Sequence, residues 1–221
     1  MELTWIQAMK IYNVFFEKGI MGIIRCERTE NVVGAVAALL EGGIDIIEIS
    51  FVTPGTPLLI HQIQEKFGSQ VLVGAGTVLD ATSAVQAISA GADFLISPAT
   101  NVEMIRTSKR YGKMVLAGAY TPTEVLYAWE NGSDAVKVFP SVPAGPSYLA
   151  ALHAPLPQIP LVPTGGVSLE NLREFMRVGA KAVAAGSSLV NRKMIEAGEF
   201  EEISRHAQAW ASLMRSIKND K

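Results

Sequence analysis

Two charged residues stand where charge is seldom found. Lys137 lies within Ala-Val-Lys-Val-Phe-Pro and Glu48 within Ile-Ile-Glu-Ile-Ser, each inside a short apolar run. Charged side chains are almost never fully buried unless paired. A lysine in such a strand either points inward or buries its stem and snorkels its head to the rim. Inward, desolvation disfavours an ammonium and favours the free amine, which can attack a carbonyl. The other lysines fall in expected helices, at helix–strand junctions or near a terminus, so Lys137 stands apart. By period-two alternation Glu48 shares a face with Ile44, Ile46 and Ser50. An inward Glu48 opposite an inward Lys137 suits amine chemistry, because making and breaking an iminium takes repeated proton transfers. The alternative for the same two residues is a structural ion pair.

Other polar residues end apolar runs: Arg25, Ser50, Thr77, Ser97, Thr164 and Ser187. An arginine fork with a nearby hydroxyl, Arg25 with Thr77, suits a substrate carboxylate. Two glycine-rich turns, PTGGVS at 163–168 and AGSSLV at 185–190, offer backbone N–H groups to an anion such as phosphate. The glycines alternatively only permit tight turns. His61, His153 and His206 are widely spaced with no pair at metal-ligand spacing, so neither a metal nor a cofactor is expected.

The elements that must carry these residues follow from a repeat. Gly19, Gly43, Gly68, Gly91, Gly112, Gly132 and Gly179 each precede a short apolar run, and IPLVPTGG at 159–166 supplies one more unit in the longest gap. Glycine suits the left-handed cap that ends a helix before a buried strand. Continuous apolar strands are covered on both faces, and between them lie helical stretches at 31–41, 81–89, 101–110 and 168–178. Asn101 and Ser168 are the expected caps of the last two. Eight strand–helix units predict an α/β fold, a (β/α)8 TIM barrel, over a single domain at 1–221. An open doubly wound sheet is the structural alternative. An additional amphipathic N-terminal helix is expected, with Trp5, Ile6, Met9, Val14 and Phe15 as apolar candidates, and 200–218 forms a closing helix. The buried stripe of that closing helix is expected to be Phe200, Ile203, Ala207, Trp210, Leu213 and Met214.

Active sites of such barrels sit at the C-terminal ends of the strands, which is where Lys137 and its polar companions fall. Composition narrows the partners. The 221 residues carry a net charge of −2, 49% hydrophobic and 18% charged, so a compact core is expected and no electrostatic pull toward nucleic acid or an acidic membrane. The one cysteine, Cys26, cannot form an internal disulfide, and the first residues lack the apolar core of a signal peptide. A cytoplasmic protein acting on a small molecule is the expectation.

The ordered set GGIDIIEIS, VGAGTV, GADFLISPAT, KVFP, VPTGGVS and AGSSLV resembles the 2-dehydro-3-deoxy-phosphogluconate (KDPG) and 4-hydroxy-2-oxoglutarate (KHG) aldolases, class I enzymes, over roughly residues 20 to 190. The resemblance implies that Lys137 forms a Schiff base and Glu48 shuttles protons through a bound water. It also implies that Thr77 contacts the pyruvyl carboxylate and that Pro98 lines the pocket. Phe139 and Thr164 would flank the oxo acid, and Gly165, Gly166 and Ser187 would hold a phosphate or distal carboxylate. Some members carry an arginine four residues after the glutamate, where this chain has Val52; the carboxylate contact then falls to Arg25. KVFPSVPAGPSYL is similar to the 6-phosphogalactonate aldolases. The family implies a homotrimer, no metal, and a 2-oxo acid substrate. A phosphosugar isomerase or epimerase using Glu48 as base, and a non-catalytic sensor of phosphometabolites, remain competing functions.

Overall fold

The structure, a computed structural model, describes residues 2–142 and 144–220, with side chains from residue 8 onward. Eight short strands run β1 Ile20–Ile24, β2 Ile46–Ser50, β3 Leu72–Gly76, β4 Phe94–Ile96, β5 Met114–Ala119, β6 Ala135–Val138, β7 Leu161–Pro163 and β8 Val183–Ala185. All neighbouring pairs are parallel, in the order β7-β6-β5-β4-β3-β2-β1-β8. A parallel bridge from Thr164 to Ala184 joins the two ends and closes the cylinder. A doubly wound sheet reverses its strand order at a switch point, and this order has no reversal. The chain is the expected (β/α)8 barrel.

The helices are α1 Glu2–Lys18, α2 Val32–Glu41, α3 Thr56–Phe67, α4 Ala81–Ser89, α5 Val102–Arg110, α6 Pro122–Glu130, α7 Gly145–His153, α8 Leu172–Arg177, α9 Arg192–Ala197 and α10 Phe200–Asn219. Glycines turn helix into strand as expected; Gly43 and Gly132 do so at φ 90° and 96°, which a residue with a Cβ adopts only with strain. Among the described residues no helix is long and apolar enough to cross a membrane.

Strand alternation sorts the apolar residues into two layers. Ile47, Ile49, Val136 and Val138 belong to the outer layer, between sheet and helices. Ile23, Ile46, Phe94, Leu116, Ala135 and Val162 belong to the layer inside the barrel. Lys137 follows Ala135 by two positions of alternation and Glu48 follows Ile46 likewise inward. Ile44, expected on the same face as Glu48, instead packs in the outer layer, because it precedes the first residue of β2 and is outside the alternation.

Helix α1 packs onto the inner layer. Among its described side chains Ile11, Phe15 and Phe16 are buried, and the Phe15 ring meets Phe94 edge-on at 5.5 Å between centroids. Of the expected apolar candidates Phe15 is buried and Val14 half-buried, whereas Met9 is 52% exposed. Trp5 and Ile6 lie outside the residues whose side chains are described. Helix α10 buries Ile203, Ala207, Trp210 and Met214 as expected, with Leu213 half-buried and Phe200 exposed at the stripe's edge. Ser168 does not cap a helix. Helix α8 begins only at Leu172, and the Asn171 side chain accepts from the Ser168 N–H instead.

Asn101 caps α5 by accepting from the Met104 N–H at 2.8 Å. Helix α6 opens with a reciprocal capping box between Thr121 and Glu124. Hydrogen bonds from the Thr121 and Tyr120 N–H groups hold the Glu124 carboxyl below the usual glutamate range. A depressed folded-state pKa adds stability above the unfolded value, and that stability is lost as pH falls through the folded value. Glu124→Gln is therefore expected to flatten the acid side of a plot of melting temperature against pH. Thr121→Ala should cost about 1 kcal/mol at neutral pH in denaturant unfolding.

Candidate active site

The C-terminal mouth of the barrel opens into a cavity of about 610 Å³, within the range of small-molecule sites. Strands β6, β7, β8 and β1 and the segments after them build most of its wall, with Val52 contributed from beyond β2. Lys137 is on that wall and is only 4% exposed. Its Nζ sits 5.0 Å from the centroid of the Phe139 ring. Among the described residues it makes no hydrogen bond or ion pair. The amine is thus buried, bordered by open space and unpaired, which is the situation a nucleophilic lysine needs.

Glu48 lies on β2, across the eight-stranded order from β6. It is 1% exposed, and its Oε2 has no hydrogen-bond partner. The carboxylate folds over Gly76, where a Cβ would overlap it. No ion pair within 4.0 Å joins it to Lys137 among the described residues. A structural ion pair between the two is therefore absent here. A buried carboxylate oxygen without a partner is costly and calls for a ligand, water or proton to satisfy it.

Thr77, immediately after β3, has φ 57°, in the left-handed region that a β-branched residue rarely occupies. Its Oγ1 lies 2.8 Å from the Ser50 hydroxyl. Pro98 follows β4, and its backbone passes directly over Gly118 of β5, the residue paired with Lys137. Glu48, Thr77 and Pro98 thus stand on the β2–β4 side of the mouth, outside the lining of the cavity. Arg25, Phe139, Thr164, Gly165, Gly166 and Ser187 line it together with Lys137. Arg25 continues the inward alternation of Met21 and Ile23 and has no hydrogen bond or ion pair among the described residues. Val52 is 57% exposed on the cavity wall.

The glycine turns are held by residues that motif spacing did not single out. Asn171 donates to the Gly166 carbonyl at 2.8 Å, the Ser188 hydroxyl donates to the Val167 carbonyl at 2.7 Å, and the Thr164 N–H donates to the Ser141 hydroxyl at 3.0 Å. For Asn171 and Ser188 the available signal was a short polar side chain two to five residues from a glycine turn, whereas Ser141 reaches Thr164 from 23 residues away and carries no such signal. Cys26 also lines the cavity, but burial and the nearby Glu196 push its thiol up, the opposite of what thiolate chemistry needs.

The family model of KDPG and KHG aldolases matches residues 11–206. A 2-dehydro-3-deoxy-phosphogluconate aldolase of Treponema pallidum is 34% identical over 190 residues, 86% of this chain and 90% of that protein. A 2-dehydro-3-deoxy-6-phosphogalactonate aldolase of Escherichia coli K12 is 32% identical over 200 residues, 90% of this chain and 94% of its own length. The KDPG aldolase structure from Legionella pneumophila, with pyruvate captured as a covalent carbinolamine intermediate, matches with a TM-score of 0.82 at 26% identity, covering 89% of this chain and 95% of that one. A lysine buried at the mouth of a closed barrel, opposite a buried glutamate, and this match over nearly the whole length agree: the chain belongs to the KDPG and KHG aldolase family.

Proposed function

We propose that the chain is a class I aldolase that cleaves 2-dehydro-3-deoxy-6-phosphogluconate to pyruvate and glyceraldehyde 3-phosphate, and that it also accepts 4-hydroxy-2-oxoglutarate. The observation that carries this reading is Lys137: an unpaired amine, 4% exposed, on the wall of the cavity. Its Nζ adds to the C2 carbonyl to give a carbinolamine, which loses water to form an iminium. The C4 hydroxyl gives up its proton, the C3–C4 bond breaks, and its electron pair moves into the iminium to give an enamine while the aldehyde leaves. Protonation at C3 and hydrolysis then release pyruvate and return the amine. Glu48, with its unsatisfied Oε2, carries these protons through a water.

Arg25 binds the C1 carboxylate with Thr77 as its hydroxyl partner, a role left to Arg25 by Val52. Pro98 borders the pyruvyl end, Phe139 and Thr164 flank the oxo acid, and Gly165, Gly166 and Ser187 receive the phosphate. A second reading, 2-dehydro-3-deoxy-6-phosphogalactonate as substrate, is favoured by the 32% identity to the E. coli enzyme of that name. In keeping with the family we assign a homotrimer, and the single free thiol of Cys26 suits a reducing cytoplasm.

A pyruvate-release assay over the two phosphorylated sugar acids, their unphosphorylated forms and 4-hydroxy-2-oxoglutarate tests the reading. The phosphogluconate compound is expected to give the highest kcat/KM. Pyruvate release from none of the panel would exclude aldolase activity, and a higher value for the galactonate epimer would reassign the substrate.

A further inference from the structure

The cavity has a charged rim that the reaction steps leave unused. Arg192, the first residue of α9, lines the same cavity as both glycine turns, and Glu27, from the segment after β1, lines it too. The Arg192 Nε lies 3.1 Å from the Glu196 carboxylate, and its Nη1 pairs with Glu27. Glu196 is well anchored: its side chain is 10% exposed, and it accepts from the N–H groups of Glu27 at 3.1 Å and Arg28 at 3.3 Å. Glu27, by contrast, is 72% exposed on its side chain. An arginine carries five N–H donors in a rigid fork, so these two contacts leave donors over at the wall where the distal end of a substrate lies.

An exposed ion pair is a weak one, screened and entropically costly. A phosphate dianion offers the same fork a stronger, bidentate partner. We propose that Arg192 is a specificity-determining residue for the distal phosphate, exchanging Glu27 for the phosphate when substrate binds while Glu196 keeps the guanidinium in place. The inference rests on the aldolase reading and adds to it a side chain that separates phosphorylated from unphosphorylated sugar acids.

The test compares kcat/KM for 2-dehydro-3-deoxy-6-phosphogluconate with that for the same acid lacking the phosphate. Arg192→Gln is expected to lower this ratio about tenfold or more, through KM for the phosphorylated substrate, with Arg192→Lys recovering part of the loss. Glu27→Gln, which removes the competing carboxylate, is expected to lower KM for the phosphorylated substrate and to strengthen inhibition by inorganic phosphate. Arg192→Gln that traps pyruvate under borohydride yet keeps the wild-type ratio overturns the Arg192 assignment alone. If Arg192→Gln fails to fold, an unchanged KM and unchanged phosphate inhibition in Glu27→Gln overturn it. A wild-type protein that traps no pyruvate overturns it together with the Schiff-base reading.

Discussion

Lys137→Ala is expected to lower pyruvate release by about 10⁴-fold or more, because the covalent route is removed rather than weakened. Borohydride added with pyruvate should attach a pyruvyl-derived mass to the wild-type protein, on the peptide containing Lys137, and to leave Lys137→Ala unmodified. Lys137→Arg is the sharper control. It puts a long basic side chain beside the Phe139 ring, but a guanidinium does not deprotonate in a protein and cannot form the iminium. An electrostatic role, as in a phosphosugar isomerase using Glu48 as base, would let Lys137→Arg retain measurable turnover. Loss of turnover in both variants, with unchanged unfolding curves, is the expected result. An adduct that survives Lys137→Ala would move the chemistry to another amine.

Glu48→Gln should separate two properties that usually fall together. Removing a proton carrier at the reacting centre is expected to reduce kcat by about 10²- to 10⁴-fold. Stability should hold or rise. Glu48 is buried with Oε2 unpartnered, and an uncompensated buried carboxylate is a cost that the isosteric amide lightens. Pyruvate trapping at Lys137 should persist in this variant, more slowly, since the amine remains. A melting temperature that drops by many degrees would mean that Glu48 holds the barrel together and that its catalytic role has been misassigned.

Much of this site was legible in the sequence because a barrel strand is a strict grammar. Alternation through Ala135 and Ile46 puts Lys137 and Glu48 inside, and the repeat of glycine-led apolar runs puts both at the mouth. What stayed hidden depends on contacts between distant segments. The rim pair Arg192 and Glu27 lies 165 residues apart in sequence, and neither stands inside an apolar run. The expected apolar face of α1 includes Met9, which is exposed, whereas Ile11 and Phe16, outside that expectation, are buried with Phe15 against the inner layer of the barrel. The left-handed φ of Thr77 carries no mark in residue type, since threonine is among the residues least expected there. Ser168 looked like a cap because capping residues and turn residues are the same few types.

Gly76 makes a different kind of statement. Its backbone is not in the left-handed region, so the chain path alone does not demand glycine; the three atoms nearest to where a methyl group would sit are Cγ, Cδ and Oε1 of Glu48. The glycine is therefore a shadow of the glutamate. A descendant that abandoned proton transfer and lost Glu48 would shed the nearest obstacle at position 76, while one that keeps the chemistry keeps that obstacle, so changes at the two positions are expected to be coupled.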